Sequence, residues 1–204
     1  LNGGGGSDVL QGGAGIDTIA GGADGDTIFG GSENDFISGD AGNDIIDGEG
    51  GDDRVLGGAG DDQITGGLGN DNIEGGADAD TILAGDGDDV VSGGAGNDLI
   101  FGDSGADNLF GGENDDLLVG GVGNDILSGD VGSDILWGGA ELIARDRFRL
   151  AAGEVLSDKF ELPPNFLAEA VQQNIQPPLI TAKALNGLSQ PGALDDGADT
   201  LRGG

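Results

Sequence analysis

Residues 93–101 read GGAGNDLIF: three glycines, an Asn-Asp pair, then Leu99, Ile100 and Phe101. A flexible acidic turn is tied directly to an apolar run. The preceding nine residues read AGDGDDVVS and the following nine GDSGADNLF, so the stretch is one unit of a repeat. From Gly3 to Trp137 the chain divides into 15 consecutive nonapeptides without one insertion or deletion. Position 6 of every unit is aspartate: Asp8, Asp17, Asp26, Asp35, Asp44, Asp53, Asp62, Asp71, Asp80, Asp89, Asp98, Asp107, Asp116, Asp125 and Asp134. Position 8 is always Ile, Leu or Val, from Leu10 to Leu136, and glycine opens 14 units, with Ala84 the exception.

Composition alone points elsewhere. With 47 glycines and a net charge of -32 in 204 residues, the chain has the profile of a disordered one. A disordered tract has no reason to hold one aliphatic residue at a single phase of every unit, so the repeat overrides composition. The chain has no cysteine and no histidine, which removes disulfides, thiolate or imidazole metal sites and the Cys- and His-based catalytic constellations. No apolar run approaches the roughly 18 residues of a membrane span, and LNGGGGSDVL at the start lacks the basic-then-apolar layout of a signal peptide. The chain opens inside a repeat and closes on TLRGG, and therefore reads as a segment of a longer protein.

The pattern G-G-x-G-x-D-x-U-x, where U is a large aliphatic residue, resembles the repeats-in-toxin (RTX, hemolysin-type) family, over about two thirds of the chain. The resemblance implies an all-β fold, a parallel β-roll (β-solenoid). In it the first six residues of each unit form a turn, the last three a short strand, and two nonapeptides complete one coil. It also implies calcium between turns one coil apart, each ion taking Asp side chains from both turns and backbone carbonyls from positions 1 to 4. The metal ligands so implied are the 15 position-6 aspartates together with carbonyls such as those of Gly57, Gly58, Ala59 and Gly60, of Gly66, Gly67, Leu68 and Gly69, and of Gly93, Gly94, Ala95 and Gly96.

Elementary chemistry agrees with that layout. Glycines at positions 1, 2 and 4 permit left-handed backbone, so several carbonyls of one turn can face a common centre. Calcium takes six to eight oxygens, which carbonyls and carboxylates supply. Side chains alternate along a strand, so position 8 points one way and positions 7 and 9 the other. One inward aliphatic per unit is then the whole core, too little by itself to offset the ordering of a whole unit of backbone. The repeat region also carries 30 acidic residues against one basic residue, Arg54, a net of -29. Without cations the roll should not form. Pairing each of 15 turns with the turn two units on gives 15 minus 2, or 13, sites, and their 26 positive charges nearly cancel the deficit.

Some units depart from the pattern. At position 4 stand Asp24, Glu33, Asp78 and Asn114; Asp and Asn tolerate left-handed backbone better than Glu, so Glu33 is expected to mark a weaker or distorted site. At position 2 stand Asp40, Glu49, Asp103 and Asp130, read mainly as solvated rather than as extra ligands.

After Trp137 the period fails. GGAELIARD begins like a sixteenth unit, but Ile143 stands where aspartate is required, and atypical end units commonly cap arrays. Arg145, Arg147, Arg149 and Lys159 cluster beyond it; we read them as ion pairs with the acidic roll, because a body at -32 repels nucleic acid and other polyanions. PPNFLAEAVQQNIQPP, residues 163–178, predicts a short helix with Leu167, Ala170, Val171 and Ile175 on one face. DDGADTLRGG then resumes the phase, with Asp199 at position 6 and Leu201 at position 8. The division is therefore a roll over 1–137, a capping or spacer segment over 138–193, and the start of a second array over 194–204. On the outward positions of the last three odd units stand Leu99, Phe101, Leu117, Val119, Ile135 and Trp137; the even units there carry Asn108, Phe110, Ile126 and Ser128. Such a patch marks a contact: residues 138–193 are expected to cover it and bury Trp137, with a neighbouring domain or subunit as the alternative.

Three functions fit unequally. The resemblance implies a calcium-binding structural module of an exported protein, extracellular or at the surface of a Gram-negative bacterium and released by type I secretion. Calcium is then the cofactor and the folding partner. An adhesion or protein-binding surface, or an accessory domain of a secreted toxin or hydrolase, is the alternative. An enzyme is disfavoured, since His, Cys and Tyr are all absent.

Overall fold

The computed structural model describes residues 1–139 and 200–202. The helix expected at 163–178 and most of the 138–193 segment lie outside the described residues. The strands are β1 (Asn2–Gly5), β2 (Val9–Ala14), β3 (Thr18–Ala23), β4 (Thr27–Ser32), β5 (Phe36–Ala41), β6 (Ile45–Gly50), β7 (Arg54–Ala59), β8 (Gln63–Leu68), β9 (Asn72–Ala77), β10 (Thr81–Asp86), β11 (Val90–Ala95), β12 (Leu99–Ser104), β13 (Asn108–Glu113), β14 (Leu117–Val122), β15 (Ile126–Val131), β16 (Ile135–Trp137) and β17 (Thr200–Arg202).

Strands two units apart pair in parallel. Among the described residues one sheet has nine strands in the order β1-β3-β5-β7-β9-β11-β13-β15-β17 and the other eight, β16-β14-β12-β10-β8-β6-β4-β2. Throughout the array each residue pairs with its equivalent two units on, as in Thr81↔Leu99, Ile82↔Ile100 and Leu83↔Phe101. The chain is thus a parallel β-roll with two nonapeptides per coil, as the resemblance implies.

The full strands are twice as long as the three-residue strands expected: β7, for example, spans Arg54–Ala59. Each runs from position 7 of one unit to position 3 of the next, so the turn proper is positions 4 to 6. The ladder continues because positions 2 and 3 find partners in the next coil, as in Gly58↔Gly76 and Ala59↔Ala77.

The core is a single column. Ile19, Ile28, Ile37, Ile46, Val55, Ile64, Ile73, Ile82, Val91, Ile100, Leu109, Leu118 and Leu127, all at position 8, are buried together between the sheets, with Leu10 and Leu136 packed at the ends. Sheets facing each other across one residue per strand leave little room inside, which suits glycine at position 1: a Cβ added at Gly57 would lie 3.0 Å from Ile64 Cδ1.

Every departure at positions 2 and 4 adopts left-handed backbone, with φ from 62° at Asp130 to 80° at Asn114. Glycine is preferred there for reach as well as freedom. At Gly67, φ 115°, a Cβ would collide with the carbonyl oxygen of Glu49 one coil below.

Candidate metal centre

The local pattern delivers one aspartate to each turn, and the coil stacks these aspartates into two rows. Asp44, Asp62, Asp80 and Asp98 follow each other on one edge, and Asp53, Asp71 and Asp89 on the other. Within a row each backbone N–H donates to the next carboxylate: Asp44 N to Asp62 Oδ1 at 2.8 Å, Asp62 N to Asp80 Oδ1 at 2.9 Å, Asp80 N to Asp98 Oδ1 at 2.8 Å. On the opposite edge Asp53 N reaches Asp71 Oδ1 at 2.8 Å and Asp71 N reaches Asp89 Oδ1 at 2.8 Å. From Asp26 to Asp125 these residues are no more than 4% exposed, whereas Asp8, Asp17 and Asp134 are half-buried.

The other carboxylate oxygen is the informative one. From Asp8 through Asp116, Oδ2 is buried and has no hydrogen-bond partner among the described residues. A row of buried anionic oxygens without donors is costly unless something positive faces it. The space it faces is visible at position 1. A Cβ at Gly57 would lie 2.5 Å from Asp62 Oδ2 and 2.5 Å from the carbonyl oxygen of Gly75, one coil on. At Gly66 the same two neighbours, Asp71 Oδ2 and the Ala84 carbonyl, stand at 2.5 and 2.5 Å. Carboxylate and carbonyl oxygens therefore crowd one small volume inside each turn. Among the described residues no three carboxylates converge on one point, so a cation here must draw most of its ligands from the backbone. That donor set, carboxylate plus carbonyl and no nitrogen or sulfur, fits a hard cation such as calcium.

Electrostatics record the same stress. Burial pushes the Asp80 carboxyl up to about 7; the hydrogen bond from the Asp62 N–H opposes this, and the charges of Asp62 and Asp98 add to it. Asp116 is pushed up to about 7 by burial, with Asp98 and Asp134 contributing repulsion. Asp53, Asp62, Asp71, Asp89 and Asp107 rise to about 6, again chiefly by burial.

The implied carbonyl ligands occupy two settings. Position 3 closes the strand, and its carbonyls already accept one hydrogen bond: Ala59 from Gly42 N at 2.8 Å and Leu68 from Gly51 N at 2.8 Å. Each keeps a second lone pair. Gly60, Gly69 and Gly96 lie at positive φ in the turn proper, and Gly58, Gly67 and Gly94 at positive φ in the strand. Gly57, Gly66 and Gly93 at position 1 line the crowded volume, as does the Gly111 carbonyl, 2.7 Å from a Cβ placed at Gly93. Ala95 ends β11 and pairs with Glu113.

The acids at position 2 are exposed, as expected. Ser38 Oγ donates to Asp40 Oδ1 at 2.6 Å and Ser128 Oγ to Asp130 Oδ1 at 2.7 Å, which ties these acids to the outer surface rather than to the ion volume. Glu33 Oε2 accepts from Gly15 N at 2.8 Å. This bond, with that from Ser32, holds its carboxyl below the usual range.

A second ladder escaped the reading of the sequence. Position-5 side chains accept from the position-5 N–H one coil later: Asn34 Oδ1 from Asp52 N at 3.0 Å, Asp52 Oδ1 from Asn70 N at 2.8 Å, Asn70 Oδ1 from Asp88 N at 2.8 Å. The signal was available, since Asn or Asp fills position 5 in nine of the fifteen units.

A parallel roll whose turns stack carboxylates against backbone carbonyls defines a β-solenoid with oxygen-only sites suited to a hard cation. The family model of the RTX calcium-binding nonapeptide repeat (4 copies) matches residues 2–37, 21–55, 29–64, 48–82, 65–100, 74–109, 83–118 and 110–141. The chain belongs to that family, and its roll is a calcium-binding structural module rather than a catalytic fold. Comparison with curated proteins returned no match. No helix among the described residues is long and apolar enough to cross a membrane, which says nothing of a β-barrel.

Proposed function

We propose that this roll is unfolded without calcium and folds on binding it, as a module of a protein exported to the outside of a Gram-negative cell. The 15 position-6 aspartates supply the side-chain ligands and the carbonyls of positions 1 to 4 the remainder, in up to 13 ions. Each ion lies between turns one coil apart. The row of buried, donorless Oδ2 atoms facing carbonyls carries this reading. Extracellular modules bind calcium at about 10⁻⁴ to 10⁻³ M, so mass action leaves the chain unfolded where calcium is scarce and folds it where calcium is abundant. Circular dichroism in EGTA and then in millimolar calcium tests it: a coil spectrum should become β-rich. A spectrum already β-rich in EGTA and indifferent to calcium would sink the reading.

One observation favours an added role as a contact surface. Phe101, Leu117 and Val119 point outward yet are only 7%, 8% and 8% exposed, packed with Leu83, Leu99 and Ile135, while Phe110 on the other sheet is 36% exposed. The cover expected from the sequence, residues 138–193, lies almost wholly outside the described residues, and a neighbouring domain or subunit is the alternative.

A further inference from the structure

The array does not end where its period fails. β17 lies beside β15 in parallel with Ile126↔Thr200, Leu127↔Leu201 and Ser128↔Arg202, so positions 7, 8 and 9 meet positions 7, 8 and 9. In an unbroken array that rung would belong to residues 144–146, two units beyond 126–128. The partners differ in number by 200 minus 126, or 74, where two units would give 18. The surplus is 74 minus 18, or 56.

The surplus can be located. Gly138 still keeps the register, because a Cβ at Gly120 would lie 2.8 Å from the Gly138 carbonyl and 2.5 Å from Asp125 Oδ2, the same pair of neighbours found at Gly57. The extra chain therefore enters after Gly138 and ends before Thr200. Removing 141–196, which equals the surplus, joins Gly138-Gly139-Ala140 to Gly197-Ala198-Asp199-Thr200-Leu201-Arg202. The product, GGAGADTLR, is a complete nonapeptide, and its GGAG opening recurs at 12–15, 57–60 and 93–96. Gly203 and Gly204 then open the next unit.

We propose that residues 141–196 are an insertion inside a single nonapeptide, the sixteenth, and that one continuous roll resumes at Thr200. This takes the place of a division into two arrays joined by a spacer. The insertion point follows β16, the last strand of the sheet that carries the buried outward cluster. The inference rests on strand register and goes beyond the calcium reading.

Disulfide trapping in the full chain tests it, and the absence of native cysteine makes each engineered pair unambiguous. Adjacent rungs are about 4.8 Å apart, inside the span a disulfide bridges, and rungs two apart lie beyond its limit of about 7 Å. In calcium with diamide as oxidant, Ser128→Cys with Arg202→Cys should link about as fast as the reference pair Phe110→Cys with Ser128→Cys, whose positions are register partners. Phe110→Cys with Arg202→Cys should be at least about tenfold slower. Adding Leu201→Asp, which puts a charge at position 8 of the pattern, should suppress the 128–202 link and spare the 110–128 link. If 128–202 links no faster than 110–202, or if Leu201→Asp leaves it unchanged, the insertion model falls. Failure of calcium-dependent folding has a different signature, a 110–128 link as fast in EGTA as in calcium; the 128–202 to 110–202 ratio still decides the insertion there.

Discussion

The two ends of the roll are built from the same nonapeptide and have different outsides. At the first coil Val9 is 76% exposed, and Asp8 and Asp17 are only half-buried. Towards the last coils the equivalent outward positions carry Phe101, Leu117 and Val119, all nearly inaccessible. The inward column barely changes, from Ile19 at 0% to Leu127 at 0%. Repetition therefore governs the interior and the turns, whose neighbours are always one coil away. The outward positions are free to diverge, and here they have diverged towards a contact.

Replacing a carboxylate in the middle should separate middle from end most clearly. Asp80→Ala strips both the site shared with Asp62 and the site shared with Asp98, each by about tenfold or more in calcium affinity, ~1.4 kcal/mol per site. Asp8→Ala touches only the site shared with Asp26 and should shift the calcium midpoint less. In an anomalous-scattering map of Asp80→Ala, loss of ions between Asp71 and Asp89 instead would reverse the assigned pairing.

A smaller effect is expected at position 1. Gly57→Ala places a methyl where Asp62 Oδ2 and the Gly75 carbonyl converge, and should weaken that site by a few-fold without removing a charge. Ala84 already carries such a methyl in the unit of Asp89, so Ala84→Gly should tighten calcium binding. Titrations in which both variants move in the same direction would contradict a position-1 methyl that competes with the ion for this volume.

Acidity should act on the metal-free chain with a definite sign. Burial holds Asp62 and Asp71 at about 6 and Asp80 at about 7, above the 3.8 of an ordinary aspartate. Between those values the folded state binds more protons than the unfolded one, so stability falls as pH rises through the window. Lowering metal-stripped protein from about pH 7.5 to about pH 5 should therefore raise its β signal. With calcium present, protons compete with the ion and the calcium midpoint should rise over the same range. A β signal that drops on acidifying the stripped chain would contradict the burial of these carboxylates.

The smallest expected change is spectroscopic and concerns the C-terminal end alone. Trp137 is the single tryptophan of the chain, and its Nε1 is buried with no hydrogen-bond partner among the described residues. In calcium its fluorescence should resist acrylamide; quenching as ready as that of free indole would mean that nothing covers this end of the roll.

The period of nine was enough to reach the inward column at position 8 and the recurring position-6 aspartates, because each follows from which residue recurs at which phase; the β-roll and the two nonapeptides per coil came from the resemblance to the RTX family. Strand length was not legible. Positions 1 to 3 look like turn in Gly57-Gly58-Ala59, and they become strand because Gly75-Gly76-Ala77 lies beside them. The position-5 ladder was legible in composition only, since Asn34, Asp52 and Asn70 stand a full coil apart in sequence and their purpose appears when they touch. Glu33 shows a converse limit: its side chain bonds the Gly15 N–H one coil below, a partner that no local preference for left-handed backbone reveals.

What the sequence determined by itself was everything set by spacing along the chain: a repeat architecture, its single-file core, an acidic residue in every turn, and oxygen-only donors that suit calcium. Tertiary structure decided what depends on distance across coils. It brought Asp62 Oδ2 and the Gly75 carbonyl to one volume, buried Phe101, Leu117 and Val119 on one outward face while leaving Phe110 exposed on the other, and seated Thr200 beside Ile126 across a long stretch of intervening chain. The physical reason is common to all three. Backbone hydrogen bonds and side-chain burial are satisfied between coils, and a repeat specifies which residues are equivalent without specifying which equivalents come to lie side by side.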